Sequence, residues 1–236
     1  MYDIVIIGAG VSGCMLAHKL ARYQLKTAVI EAGCDVAGGA TRANSAIVHA
    51  GFDAESGTLK AKLNVIGCTE LPKIAEQLDV PYKNNTSIVA AFSDEDVEKL
   101  RALYERGERN GVKGLYIADR DEVHRLEPNL SDEVVAALVA PSAGIICPYE
   151  LTIACAENAA INGCEFFFDR RVDRIIDNGD YVTVGAGGFE LDARYIVNAA
   201  GVHSDELARL ADPDYPISLR ARRGELDADA ADVLHH

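Results

Sequence analysis

No apolar run approaches the roughly 18 residues that a membrane span needs. The N-terminus carries Asp3, and glycines interrupt its apolar run, so it lacks the basic leader of a secretory signal. None of the six cysteines (Cys14, Cys34, Cys68, Cys147, Cys155, Cys164) forms a CxxC pair, and no Cys/His grouping has zinc-finger spacing. Reduced thiols in a cytoplasmic protein, and no metal site, are the expectation. Basic residues are also short: 23 Lys+Arg stand against 37 Asp+Glu, a formal net charge of −14. That balance disfavours nucleic acid or an anionic membrane surface as a general partner. It leaves an anionic substrate open, because clusters such as Arg220, Arg222 and Arg223 can oppose the overall field. What is present, 49% hydrophobic and 25% charged residues over 236 positions, fits a globular protein of one large or two small domains.

The stretch Tyr2–Glu31, YDIVIIGAGVSGCMLAHKLARYQLKTAVIE, organises the rest. Ile4–Ile7 is β-branched and apolar, suited to a strand buried on both faces. It runs into Gly8-Ala9-Gly10-Val11-Ser12-Gly13, a GxGxxG, after which Leu16, Ala17, Leu20 and Ala21 recur at helical spacing. A second apolar run, Thr27–Ile30, ends in Glu31. The distance from Gly8 to Glu31 is close to the roughly 20 residues expected between a dinucleotide fingerprint and its ribose-binding acid. Gly8 permits the tight turn, Gly10 lets backbone approach a pyrophosphate, and Gly13 lets the helix pack on the sheet. The helix N-terminus offers N–H groups and partial positive charge to phosphates. Glu31 accepts bonds from ribose hydroxyls and would repel a 2′-phosphate, which argues against NADP. Dinucleotide binding is the expectation.

Residues 32–53, AGCDVAGGATRANSAIVHAGFD, are rich in small residues and poor in helix signals, as expected of backbone lying against a ligand. Within them, Thr41-Arg42-Ala43-Asn44-Ser45-Ala46-Ile47-Val48-His49-Ala50-Gly51 resembles the second flavin-contacting segment of FAD-dependent oxidoreductases of the D-amino-acid-oxidase superfamily. It is most similar to the branch holding glycerol-3-phosphate dehydrogenases and L-2-hydroxyglutarate oxidases, which share a Ser-x-x-Ile/Val-His-x-Gly pattern. The resemblance implies FAD as the cofactor, with Arg42, Ala43, Asn44 and Ser45 on the flavin and His49 near its ring. His49 is then either a structural histidine or the base that takes a proton.

Further along, residues 57–79 have helical periodicity, Pro72 predicts a break or bend, and Lys60, Lys62 and Asn64 form a solvated face. Tyr82–Phe92 reads as a strand. Ser93–Asn110 reads as a helix with an N-cap and acidic first turn, ended by Gly111. Asp119–Leu130 resembles the family's LEP-N-L helix, with His124 on its outer face. Val134–Ala140 reads as a strand, Glu150–Asn162 as a helix and Phe166–Phe168 as a strand. By the resemblance, Val172 lends its backbone N–H and C=O to adenine. Tyr181–Val184 and Phe189–Leu191 read as a hairpin, Arg194–Val197 as a buried strand, and His203–Leu210 as a helix. The segment Asn198-Ala199-Ala200-Gly201 matches the family's NAAG, placing Ala200 and Gly201 at the flavin. Arg222-Arg223-Gly224-Glu225 resembles the family's RRGE.

The expected fold is α/β: a doubly wound, Rossmann-like FAD-binding domain (1–80 and 141–211) with an interleaved, incomplete antiparallel substrate domain (81–140 and 212–236). The resemblance covers residues 2–225 and then stops, so the chain reads as C-terminally truncated. It implies hydride transfer from the carbinol carbon of a small anionic 2-hydroxy acid or glycerol 3-phosphate to flavin. His49 is the expected base and Arg223 the expected acid-group ligand. The electron acceptor, whether oxygen, a quinone or a partner protein, leaves no mark on the sequence. The alternatives are oxidation of an amino acid at its amine and a non-catalytic FAD-binding fragment.

Overall fold

A computed structural model describes residues 1–221. In chain order, β1 (Tyr2–Ile7), α1 (Val11–Leu20) and β2 (Thr27–Ile30) are followed by a 3-10 turn (Ala40–Arg42) and β3 (Ile47–Val48). Then come α2 (Leu59–Gln77), β4 (Tyr82–Lys83), β5 (Ser87–Ala91), α3 (Asp94–Asn110), β6 (Tyr116–Asp119), α4 (Arg120–Leu126), β7 (Ala136–Ala140) and β8 (Gly144–Ile146). The chain continues through α5 (Pro148–Ile161), β9 (Glu165–Phe167), β10 (Arg174–Asp177), β11 (Val182–Ala186) and β12 (Phe189–Asn198). A second 3-10 turn (Gly201–His203) leads into α6 (Ser204–Ala211). No helix among the described residues is long and apolar enough to cross a membrane.

Two compact units divide the chain: Met1–Ser45 with the described residues from Pro148 onward, and Ala46–Cys147. The first unit is built on one six-stranded sheet, ordered β10-β11-β12-β1-β2-β9. Strands β12, β1, β2 and β9 run parallel, and β12, β11 and β10 form an antiparallel meander at the edge. Parallel strands are covered on both faces, which is why Val5, Ile6, Ile7 and all of β2 are buried. Each of those valines and isoleucines contributes about 1.5–3 kcal/mol by leaving water. On one face Val5, Ile7, Ile30, Val184 and Leu191 pack with Leu207 of α6. α1 lies against α5, where His18 Nδ1 is 2.9 Å from Asn158 Oδ1.

The second unit contains two three-stranded antiparallel sheets, β5-β7-β6 and β3-β8-β4. Leu138 and its neighbours on one face of β7 pack with Leu100 of α3, Val112 and Leu115, while Ala137 and Val139 on the other pack with Val123 and Val134. α3 starts where expected, with the Ser93 hydroxyl accepting the Asp96 N–H at 3.2 Å. It ends on Gly111 at φ 83°, a left-handed cap.

The structure corrects several expectations. Of the break or bend expected at Pro72, the break is absent, because α2 runs through it and is held by buried side chains on both sides, Ala61 and Cys68 before, Ile74 and Ala75 after. One missing N–H costs less than losing that packing. The expected strand 82–92 is two strands in different sheets, parted by Asn84–Thr86, where Thr86 takes φ 65° and Asn84 donates to the Pro141 and Ala143 carbonyls. Phe189–Leu191 and Arg194–Val197 are one strand, because β12 changes partner from β11 to β1 along its length. His124, expected on an outer face, is half-buried, with its Nε2 shielded from solvent. The compact unit Ala46–Cys147 includes residues 46–80.

Candidate functional site

The site of interest in the first unit is a cleft of about 600 Å³, within the 300–1,000 Å³ usual for ligand pockets. Its walls are the glycine turn (Gly8, Gly10, Val11, Ser12), Glu31 at the end of β2, and Gly39, Thr41 and Asn44 from the following loop. Val172 and Ala199–His203 complete it together with Glu206 of α6.

The glycines do three separable jobs. Gly8 takes φ 108°, and a Cβ there would stand 2.5 Å from the Ala199 carbonyl oxygen. A Cβ on Gly13 would lie 1.9 Å from the Gly8 carbonyl oxygen, so α1 can meet the turn only without one. Gly10 differs: the protein atom nearest its absent Cβ is Thr41 Oγ1 at 3.3 Å, and the space in front of it belongs to the cleft. Gly10 also makes no side-chain cap, and the first turn of α1 carries no acid. Apart from the Val11 N–H, which the Thr41 hydroxyl oxygen accepts, the N-terminal end of α1 therefore turns its partial positive charge to the cleft.

Glu31 grips the turn. Its Oε2 accepts the Ala9 N–H at 2.7 Å and its Oε1 accepts the Gly33 N–H at 2.8 Å. Each carboxylate oxygen keeps a second lone pair for a hydroxyl. Its backbone is fixed as well, donating to the Phe167 carbonyl and accepting from the Arg170 N–H, both at 2.9 Å. Val172 lines the cleft, and its N–H and C=O have no hydrogen-bond partner among the described residues. Glu206, also in the lining, lies 3.8 Å from Arg171 and 3.3 Å from His203 Nδ1, all three exposed.

Of the residues singled out by sequence, the cleft brings together Gly8, Gly10, Val11, Ser12, Glu31, Asn44, Val172, Ala200 and Gly201. Gly13 supports it from within α1. Arg42, Ala43 and Ser45 are exposed and are not part of the lining. His49 belongs to the second unit, where it is exposed, and Arg223 lies outside the described residues. Sequence reading missed Thr41, whose buried hydroxyl oxygen accepts the Val11 N–H at 3.0 Å. Its signal was weak, since a cap supplied by a residue far along the chain has no fixed spacing. The reading also gave Asn64 no role beyond a solvated face: its side-chain amide donates to the His49 carbonyl at 2.7 Å. Among the described residues no group of three or more His, Cys, Asp or Glu is placed to hold a metal.

The space at Gly10, the helix end beside it and the Val172 backbone, unpaired among the described residues, fit a dinucleotide with a pyrophosphate and an adenine, FAD among them. The chain is 41% identical over 225 residues to a glycerol 3-phosphate dehydrogenase of Caloramator mitchellensis, covering 95% of this chain and 47% of that protein. It is 31% identical over 231 residues to the mitochondrial L-2-hydroxyglutarate dehydrogenase of Caenorhabditis elegans, covering 95% of this chain and 53% of that one. It thus spans about half the length of the curated relatives it matches. Among solved structures, the dithionite-reduced L-alpha-glycerophosphate oxidase from Mycoplasma pneumoniae with FAD bound matches with a TM-score of 0.82 at 27% identity, over 89% of this chain and 56% of that one. Glycine oxidase from Geobacillus kaustophilus also reaches 0.82, at 23% identity over 89% of this chain and 58% of that one, a likeness of fold alone. The family model for FAD dependent oxidoreductases matches residues 3–226, and the chain belongs to that family.

Proposed function

We propose that the cleft holds FAD and that the protein oxidises a small anionic hydroxy compound, glycerol 3-phosphate or L-2-hydroxyglutarate, to the corresponding ketone. The N-terminus of α1 and the open face of Gly10 receive the pyrophosphate, Glu31 the adenosine ribose and the Val172 backbone the adenine. Ala200 and Gly201 approach from the flavin side, as do Arg42, Ala43, Asn44 and Ser45. Bound FAD supplies a two-electron acceptor, so that the carbinol carbon gives up a hydride while its hydroxyl gives up a proton. His49 takes that proton, and Arg223 holds the substrate's acid group. A cytoplasmic setting fits the six cysteines, all free thiols.

The cofactor reading rests above all on the cleft-facing gap at Gly10, where, among the described residues beyond its chain neighbours, Thr41 Oγ1 alone comes within 4 Å of the absent Cβ. The substrate class rests on the 41% identity to a glycerol 3-phosphate dehydrogenase along 95% of this chain. The test is a visible spectrum of the purified chain, before and after anaerobic addition of each substrate. Flavin bands that bleach with one substrate support the reading and choose between the two. Bands that persist with both point to a binder without turnover on these compounds. A colourless chain that takes up no added FAD overturns the reading.

A further inference from the structure

The segment that carries His49 is fastened far more closely than an exposed stretch needs to be. Ala46 accepts the Ile146 N–H at 3.1 Å, and Ile47 and Val48 pair with β8. The His49 carbonyl takes the Asn64 side-chain amide at 2.7 Å. Ala50 is buried, and Gly51 takes φ 110° with Val65 filling the space where a Cβ would go, 2.7 Å away. Asn110 of α3 then donates to the Gly51 carbonyl at 2.9 Å and to that of Ala54 at 2.7 Å, while Arg106 donates to the Asp53 carbonyl at 3.0 Å. The backbone from 46 to 54 is thus held at nearly every residue. His49 stands exposed in the middle of it.

An exposed imidazole with no task gains nothing from such a mount. One that must meet a hydroxyl at hydrogen-bond distance gains a great deal, since a displacement of about 1 Å can cost about 100-fold in rate. Among the described residues Asn64 is the side chain that bonds to the backbone of His49 itself, and Val65, the next residue of α2, packs on Gly51. We propose that Asn64 is a positioning residue for His49, fixing the backbone from which the imidazole reaches the substrate. The proposal rests on the reading of His49 as the proton acceptor. Asn64 touches no reacting atom and acts through the histidine alone.

The test is a double-mutant cycle on the FAD-loaded chain, read as the limiting rate and half-saturation of anaerobic flavin reduction by glycerol 3-phosphate and by L-2-hydroxyglutarate. Asn64→Ala, and Asn64→Leu which keeps the volume, lower the limiting rate about tenfold with half-saturation unchanged, and neither slows His49→Ala further. Equal slowing by Asn64→Ala in the wild-type and His49→Ala backgrounds would overturn the proposal while leaving His49 as the base. A His49→Ala chain that reduces at the wild-type rate would remove both. A readout independent of turnover is the Cε1–Hε1 signal of His49 in a carbon–proton spectrum. It shifts or broadens in Asn64→Ala while those of His18 and His203 stay in place, and an unmoved His49 signal counts against the proposal.

Discussion

Thr41 and Val11 are joined across a separation of 30 residues, the Val11 N–H donating to the threonine hydroxyl oxygen at 3.0 Å. The helix that borders the cleft is therefore capped from a distant part of the chain, because its own N-cap, Gly10, has no side chain to offer. One bond settles both the start of α1 and the position of the loop that closes over it. The Asn44 amide adds to it by donating to the Thr41 carbonyl at 2.9 Å.

Thr41→Val removes that acceptor with little change of shape. The variant should lose about 1 kcal/mol of stability, the usual worth of a helix cap, and bind FAD several-fold more weakly. Thr41→Ser should behave as wild type. Thermal melts and fluorescence titration with FAD measure both effects.

Gly10→Ala and Gly13→Ala should separate the ligand's requirements from the fold's. A methyl on Gly10 meets only Thr41 Oγ1 at 3.3 Å, so the variant should melt close to wild type and yet take up little FAD. A methyl on Gly13 lies 1.9 Å from backbone, so the variant should lose about 3 kcal/mol or fail to fold. Equal melting temperatures for the two would contradict this division.

Glu31→Gln leaves one of two N–H groups, Ala9 or Gly33, facing an amide NH2 in place of a carboxylate oxygen. Stability should fall by about 1–2 kcal/mol, and FAD affinity by about tenfold as the ribose loses a charged acceptor. Calorimetry with and without FAD distinguishes the two losses.

Burial, and then the neighbouring Cys155, pushes the Cys14 thiol up to about 12 from its ordinary 9.0. Burial likewise brings Cys155 to about 11. Between the unfolded and folded values the folded state holds the extra protons, so stability is intact below about pH 9 and declines as pH rises towards 12. Cys14→Ala should flatten that decline in melts run from pH 8 to 11. In the native chain a thiol reagent at pH 8 should modify exposed Cys34 and spare Cys14, Cys155 and Cys164, which are buried.

Local signals made single elements of both units legible. Thr27–Ile30 came out residue for residue because a short β-branched run flanked by polar residues has one reading, and α3 because Ser93 and Gly111 punctuate it. The features that escaped were set by distant partners. Asn64 reads as one more polar residue on a helix until the His49 carbonyl is found beside it, and Thr41 as loop filler until Val11 is. Pro72 is a breaker by any local rule, and only the packing on either side of it explains why α2 continues. The split of residues 82–92 follows from Asn84 bonding to carbonyls nearly sixty residues on, which no window of sequence contains.

The placement of β1 bears on when the cleft can exist during synthesis. Ile4 pairs with Thr27 on one side but with Tyr195 on the other, so the strand that launches the glycine turn waits for one made near the far end of the described chain. Gly8, similarly, packs on the Ala199 carbonyl just beyond β12. Closing so long a loop is slow, and contacts of this range form late. A nascent chain halted before residue 189 would hold the whole fingerprint and still lack β12, which flanks β1, and the wall made by Ala199–His203 and Glu206, so cofactor uptake belongs to the last stage of folding.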